Sequence, residues 1–188
     1  MIKYKTDSII ICDLEASCWR SDKERPHSES SEVIEFGICL LDLNTYEINN
    51  AKSILIKPQM STISSFCTEL TSHTQNELDN KGISFKEACE MIRKEYSSRN
   101  RLWCSWGNYD RRMIEQEARL LDVAYPFINQ HLNIKALFSV LYGEVCGMDR
   151  ALEILNMPLL GRHHLGVDDA KNIAAIFGHI LKKWKVSL

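Results

Sequence analysis

The sequence has little of what marks a secreted, membrane-bound or modular protein. Its seven cysteines form no C-x-x-C pair and their number is odd, which argues against both a disulfide framework and a zinc ribbon. Most stand in apolar stretches, where cysteine behaves as a small hydrophobe, so a reducing cytoplasm is the expected location. No apolar run approaches the ~20 residues of a membrane span, and no charged start leads into an apolar core, so neither a membrane partner nor a secretory leader is expected. The four prolines and eight glycines are scattered. With no Gly/Ser linker, low-complexity tract or internal repeat, one domain over 1–188 is expected. Excess charge is missing too: 23 Lys and Arg against 25 Asp and Glu leave a net charge of −2. That excludes the broad basic footprint of a protein coating long nucleic acid. A phosphate-bearing partner remains possible where metal ions carry the positive charge locally. Hydrophobic content of 45% is ordinary, and the length suffices for a full core. The oligomeric state is left open.

What is there is organised around Ser8–Trp19, S-I-I-I-C-D-L-E-A-S-C-W. Ile9, Ile10 and Ile11 run without polar alternation, as in a central strand covered on both faces. Asp13 and Glu15 follow at i, i+2, a spacing that sends both side chains to one side of the sheet. Two acids together at the end of a buried strand repel each other and lose solvation, which a cation between them would offset. The plain alternative is a strand that has ended, with both acids in water.

Downstream, Arg20–Ser31 reads as an exposed loop, Glu32–Asp42 as a second strand and Ala51–Lys57 as a third, forming an antiparallel meander. Ser84–Tyr96 has helical spacing, with Ser84 as N-cap and Glu87 three residues on. Arg101–Ser105 is a short strand, Asp110–Leu121 a helix and Leu132–Ile134 a brief strand. Ile134–Tyr142 reads as strand running into helix, Met148–Leu155 as a short helix stopped by Pro158, and Val167–Trp184 as the last helix. The order β-β-β-α-β-α-β-α-α implies an α/β fold with a mixed sheet and helices on its faces.

Asp110 opens its helix in register with Met113 and Ile114, on an apolar face that continues through Glu117, Leu120 and Leu121, so it is expected to point toward the sheet. A helix N-cap is the competing reading. Near the C-terminus, Asp169, Ile173, Ile176/Phe177, Ile180 and Trp184 share one stripe, which aligns Asp169 with the buried face; Asp168 falls about 100° away, where capping the helix is its expected role. Five residues before Asp169 stands His164, in a loop bracketed by Gly161 and Gly166 and suited to taking a proton from water. His163 and His179 read as exposed histidines without a role. Four carboxylates and a loop histidine suit Mg2+ or Mn2+ better than zinc. Two such ions about 3.5–4 Å apart serve in-line displacement at phosphorus.

Asp13–Cys18, Ile34–Phe36, Lys57-Pro58, Phe66–Thr71, Ser105–Asp110 and Gly161–Ala170 stand in the order of D-F-E-A-T-C, I-E-F, K-P, F-C-x-x-L-T, S-W-G-x-Y/W-D and G-R-x-H-x-G-I-D-D-A. This ordered set resembles the DEDDh family of 3′→5′ exonucleases, in its histone-mRNA exonuclease and KapD-like branch, over nearly the whole chain. The resemblance implies a DnaQ-like, RNase H-like fold with a five-stranded mixed sheet. It implies Asp13, Glu15, Asp110 and Asp169 as ligands of two Mg2+ or Mn2+ ions, with His164 as general base and Glu15 counted beside it in the catalytic set. Ala16, Leu70 and Thr71 would hold the terminal nucleotide. Trp19 and Tyr109 are candidate stacking surfaces, with plain packing as the alternative. Two departures stand out: Leu70-Thr71-Ser72-His73-Thr74 replaces the family's L-T-G-I-T, and Ala16-Ser17-Cys18 replaces the T-T-G of proofreading members. The expected activity is release of nucleoside 5′-monophosphates from single-stranded 3′ ends, RNA favoured over DNA. The alternatives are a nuclease of very short oligomers, like an oligoribonuclease, and a non-catalytic RNA-binding protein on the same fold.

Overall fold

The computed structural model of the chain describes residues 4–185. Its centre is β1 (Ser8–Ala16), whose side chains alternate between two cores. Ile10, Cys12 and Leu14 enter one, and Ile9 and Ile11 enter the other. Both faces are covered, which is why the strand reads as an unbroken apolar run. β2 (Val33–Asp42) and β3 (Ile48–Leu55) extend the sheet antiparallel from one edge of β1. β4 (Trp103–Ser105) and β5 (His131–Asn133) extend it parallel from the other. The order β3-β2-β1-β4-β5 is the expected mixed five-stranded sheet.

Seven helices punctuate these strands among the described residues: α1 (Ser65–Thr71), α2 (Gln75–Lys81), α3 (Phe85–Glu95), α4 (Tyr109–Leu120), α5 (Ile134–Tyr142), α6 (Met148–Ile154) and α7 (Gly166–Lys185). Against the face of Ile10 and Leu14 pack Phe85, Ala88 and Ile92 of α3 with Met113, Ile114 and Ala118 of α4. Against the face of Ile9 and Ile11 pack Phe138, Ala151, Ile173, Ile176 and Phe177 of α5, α6 and α7. Each such aliphatic or aromatic side chain contributes roughly 1.5–3 kcal/mol when fully buried. No helix among the described residues is long and apolar enough to cross a membrane.

Several expectations need correction. α1 and α2 interrupt what reads as coil, and Ile134–Tyr142 is helix throughout. β3 starts three residues earlier than the Ala51 expected and ends at Leu55. On α4 the buried face turns through Ala118, while Leu120 is 58% exposed. Trp184 lies exposed at the end of α7. The capping box is as expected: Ser84 accepts from the Glu87 N–H and the Glu87 carboxylate accepts from the Ser84 N–H.

Candidate active site

The face of β1 that carries Ile9 and Ile11 continues, two residues at a time, into Asp13 and Glu15. Opposite Asp13 in the β1–β2 register stands Gly37. A Cβ there would sit 1.8 Å from the Gly166 carbonyl carbon and 2.3 Å from the Val167 nitrogen, so the missing side chain is what lets the first turn of α7 lie directly on β2. That contact carries Asp169 to the acidic end of β1. Ligand oxygens of Asp13, Glu15 and Asp169 come within 4.8 Å of one another.

Asp110 arrives from α4 on the other side of the strand end. It is 4% exposed, and its Oδ1 accepts from the Leu14 N–H at 3.1 Å. The N-cap of α4 is Asn108, so Asp110 points to the sheet as its register implies. All four carboxylates line one recess of about 240 Å³, together with Trp106, Tyr109, Asp149, His163 and His164.

The electrostatics of this recess are unfavourable to four bare anions. Burial, then Asp110, Asp169 and Glu15, hold the Asp13 carboxyl well above its ordinary value. Burial and then Glu35 and Asp169 push Glu15 up to about 8. Burial pushes Asp110 up to about 6 against the pull of Ser105, and burial raises Asp169 in spite of its bond to His163. Near neutral pH such a set either retains protons or takes cations, and an all-oxygen donor set fits a hard divalent ion such as Mg2+ or Mn2+.

The histidines divide differently from the sequence reading. His163 is not an idle exposed residue: its Nδ1 lies 3.1 Å from both carboxylate oxygens of Asp169. His164 gives Asp169 its backbone N–H at 2.9 Å and turns its ring to the recess, stacked on His163 at 3.9 Å between centroids. Burial, then the neighbouring His163, lowers the His164 pKa. Asp168 lies within the first turn of α7 and ties down the preceding loop, accepting from the Arg162 N–H and from Lys171, both at 3.0 Å. His179 is half-buried on α7.

The expected nucleotide contacts are less uniform. Tyr109, 52% exposed, stands at the rim of the recess. Ala16 and α1 are joined by the Cys67 thiol, 3.7 Å from the Ala16 carbonyl oxygen. Leu70 is half-buried, whereas the Thr71 hydroxyl is already engaged, donating to the Cys67 carbonyl at 2.9 Å and accepting from the His73 N–H at 3.2 Å. Trp19 is half-buried outside the lining of the recess. The sequence reading missed Trp106 and Asp149 in that lining; Trp106 belongs to the S-W-G motif, while the exposed Asp149 carries no periodic signal.

A family model described as Exonuclease (RNase_T) matches residues 10–177. The chain belongs to this exonuclease family. Among its curated relatives, ERI1 exoribonuclease 2 of Homo sapiens is 28% identical, over 93% of this chain and 28% of its own length. The 3′-5′ exoribonuclease 1 of Homo sapiens is 29% identical, over 94% of this chain and 53% of its own length. This exonuclease chain therefore spans between about a quarter and about half of those two relatives. Among solved structures, the nuclease domain of 3′hExo, a DEDDh family member bound to rAMP, matches with a TM-score of 0.85 at 27% identity, covering 96% of this chain and 94% of that one. The RNase H-like exonuclease fold is thus shared over nearly the whole chain.

Proposed function

We propose that the chain is a divalent-metal-dependent 3′→5′ exonuclease that removes nucleoside 5′-monophosphates from single-stranded ends, with RNA as the favoured substrate. The observation that carries this reading is the meeting, in one recess, of four carboxylates drawn from β1, α4 and α7 with a histidine at its edge. The exoribonuclease names of the curated relatives and the rAMP in the 3′hExo structure support RNA over DNA. Cysteine usage supports a reducing, cytoplasmic setting.

Asp13, Glu15, Asp110 and Asp169 would hold the ions. Bound Mg2+ or Mn2+ supplies charge compensation and polarisation at the phosphodiester. The imidazole of His164, kept neutral by its lowered pKa, accepts a proton from the attacking water. Water oxygen then bonds to phosphorus as the bond to the 3′-oxygen of the preceding nucleotide breaks, and that oxygen takes a proton from solvent to become the new 3′-hydroxyl. His163 and the His164 backbone N–H fix the orientation of Asp169. Leu70 and Tyr109 offer apolar surface to the terminal base.

The test is a panel of matched RNA and DNA oligomers, two-mers and twenty-mers, 5′-labelled and incubated with Mg2+ and with Mn2+. Stepwise shortening from the 3′ end is expected, faster on RNA, and abolished in Asp13→Ala. Shortening that survives Asp13→Ala counts against the reading; a marked preference for the two-mers would make the chain a nuclease of very short oligomers. Tight metal-dependent RNA binding without product would point to a non-catalytic role.

A further inference from the structure

Glu35 and His73 form a buried hydrogen-bonded pair that the chemistry above leaves unused. Glu35 faces Glu15 across the β1–β2 register and is completely buried. A fifth carboxylate beside four others is costly unless donors answer its charge. They do. Its Oε2 accepts from the Gly166 N–H at 3.0 Å and lies 2.8 Å from His73 Nε2. Its Oε1 accepts from the Val167 N–H at 3.2 Å. Burial pushes the Glu35 carboxyl up, yet these partners bring it below its ordinary value; Glu35 and Glu77 likewise overcome burial and raise His73.

The partners of this one carboxylate come from two separate elements, the first turn of α7 and the segment that follows α1. Gly166 and Val167 open α7, and Asp169 follows within the same turn. His73 follows α1 directly and is locked to its end: its N–H donates to Thr71 Oγ1 at 3.2 Å, and its carbonyl accepts from Thr68 Oγ1 at 2.9 Å. Glycine at 166 leaves space for this contact, since a Cβ there would lie 3.0 Å from the Glu35 carboxyl carbon. We infer that His73 and Glu35 are a positioning pair, which fixes α1, packed beside the end of β1 through Cys67 and Ala16 and assigned above to the terminal nucleotide, relative to the α7 turn that carries Asp169. The inference deepens the exonuclease reading of this site and rests on it.

The test compares His73→Gln with His73→Leu in the full chain. Both remove the imidazole, so any effect of its charge on the carboxylates is common to them. Only glutamine keeps an N–H able to reach Glu35. Steady-state kinetics on a 5′-labelled RNA oligomer with Mg2+ should show His73→Leu below His73→Gln by roughly 10-fold or more in kcat/KM, the scale of a hydrogen bond to a buried charge, with KM raised and kcat lowered together. Mn2+ binding, followed by electron paramagnetic resonance, should also be weaker in His73→Leu than in His73→Gln, because Asp169 is displaced. Should His73→Leu not fold, His73→Asn, polar but too short to reach, takes its place. Equal kinetics and equal Mn2+ affinity in the two folded variants overturn the inference, as does a difference confined to melting temperature. A wild type that shortens no substrate while Mn2+ affinity still separates the variants removes the exonuclease reading but keeps the positioning role.

Discussion

His163 and His164 are adjacent and chemically identical, yet the loop gives them different tasks. His164 has φ of 63°, a left-handed conformation that costs a non-glycine residue roughly 1–2 kcal/mol. The Asp169 carboxylate, by accepting the His164 N–H, helps to hold it there, and the turn leaves the His164 ring free for the recess while His163 binds Asp169. His164→Ala should therefore lower kcat by about 10²–10⁴-fold, the usual scale for a lost general base. His163→Ala should cost about 10-fold or less, since the His164 N–H still anchors Asp169. Single-turnover rates on an RNA oligomer check this, and the reverse ranking would move the proton-accepting role to His163. The sequence pattern brings His164 forward only through its five-residue offset from Asp169. The role of His163 was illegible because it depends on a left-handed backbone turn, which leaves no trace in hydrophobic periodicity.

At the level of elements, what was legible is what repeats over several turns or fills a strand. β1 and β2 show their burial directly, and α3, α4 and α7 carry stripes long enough to align Asp110 and Asp169 with the sheet. α1 and α2 escaped because each is seven residues long. α2 buries only Leu78, so no stripe forms, and α1 ends on Ser72 at φ of 68° rather than on a glycine. Their N-caps were the available signal: the Ser64 hydroxyl accepts from the Cys67 N–H and the Thr74 hydroxyl from the Glu77 N–H. The seat of α7 on β2 was likewise unreadable, because a glycine in a strand does not announce what approaches it. Gly37→Ala tests that seat. The clash is with backbone, so either α7 shifts or the fold yields, and a loss of about 1–3 kcal/mol or more is expected. Urea unfolding measures it, and the folded fraction should show reduced kcat because Asp169 moves with α7. A stability loss below about 0.5 kcal/mol with unchanged kcat would mean that the close approach at Gly37 does not position Asp169.

For the molecule as a whole, the carboxylates gathered at the end of β1 couple stability to protons and to metal. In the metal-free chain Glu15 titrates near 8, above its ordinary value of 4.5, so folding favours its protonated form. That contribution is fully present below about pH 4.5 and drains away as pH rises toward about 8, because the unfolded chain then releases a proton that the folded chain must keep or lose at a cost. Asp13 and Asp169, also raised, act in the same direction. Chelator-treated protein should accordingly melt at progressively lower temperature from about pH 5 to about pH 8. Saturating Mg2+ or Mn2+ competes with protons for the same oxygens and should flatten that slope. An ion at a hundred times its Kd adds about 2.7 kcal/mol, roughly 5–10 °C for a chain of this size. Glu15→Gln, which removes one repelling charge, should melt higher than the wild type at pH 8 in chelator and gain less from Mg2+. Melting curves that are flat in pH and indifferent to divalent ions would mean that these acids are not the electrostatic burden their burial implies, and the case for metal at this site would lose its physical basis.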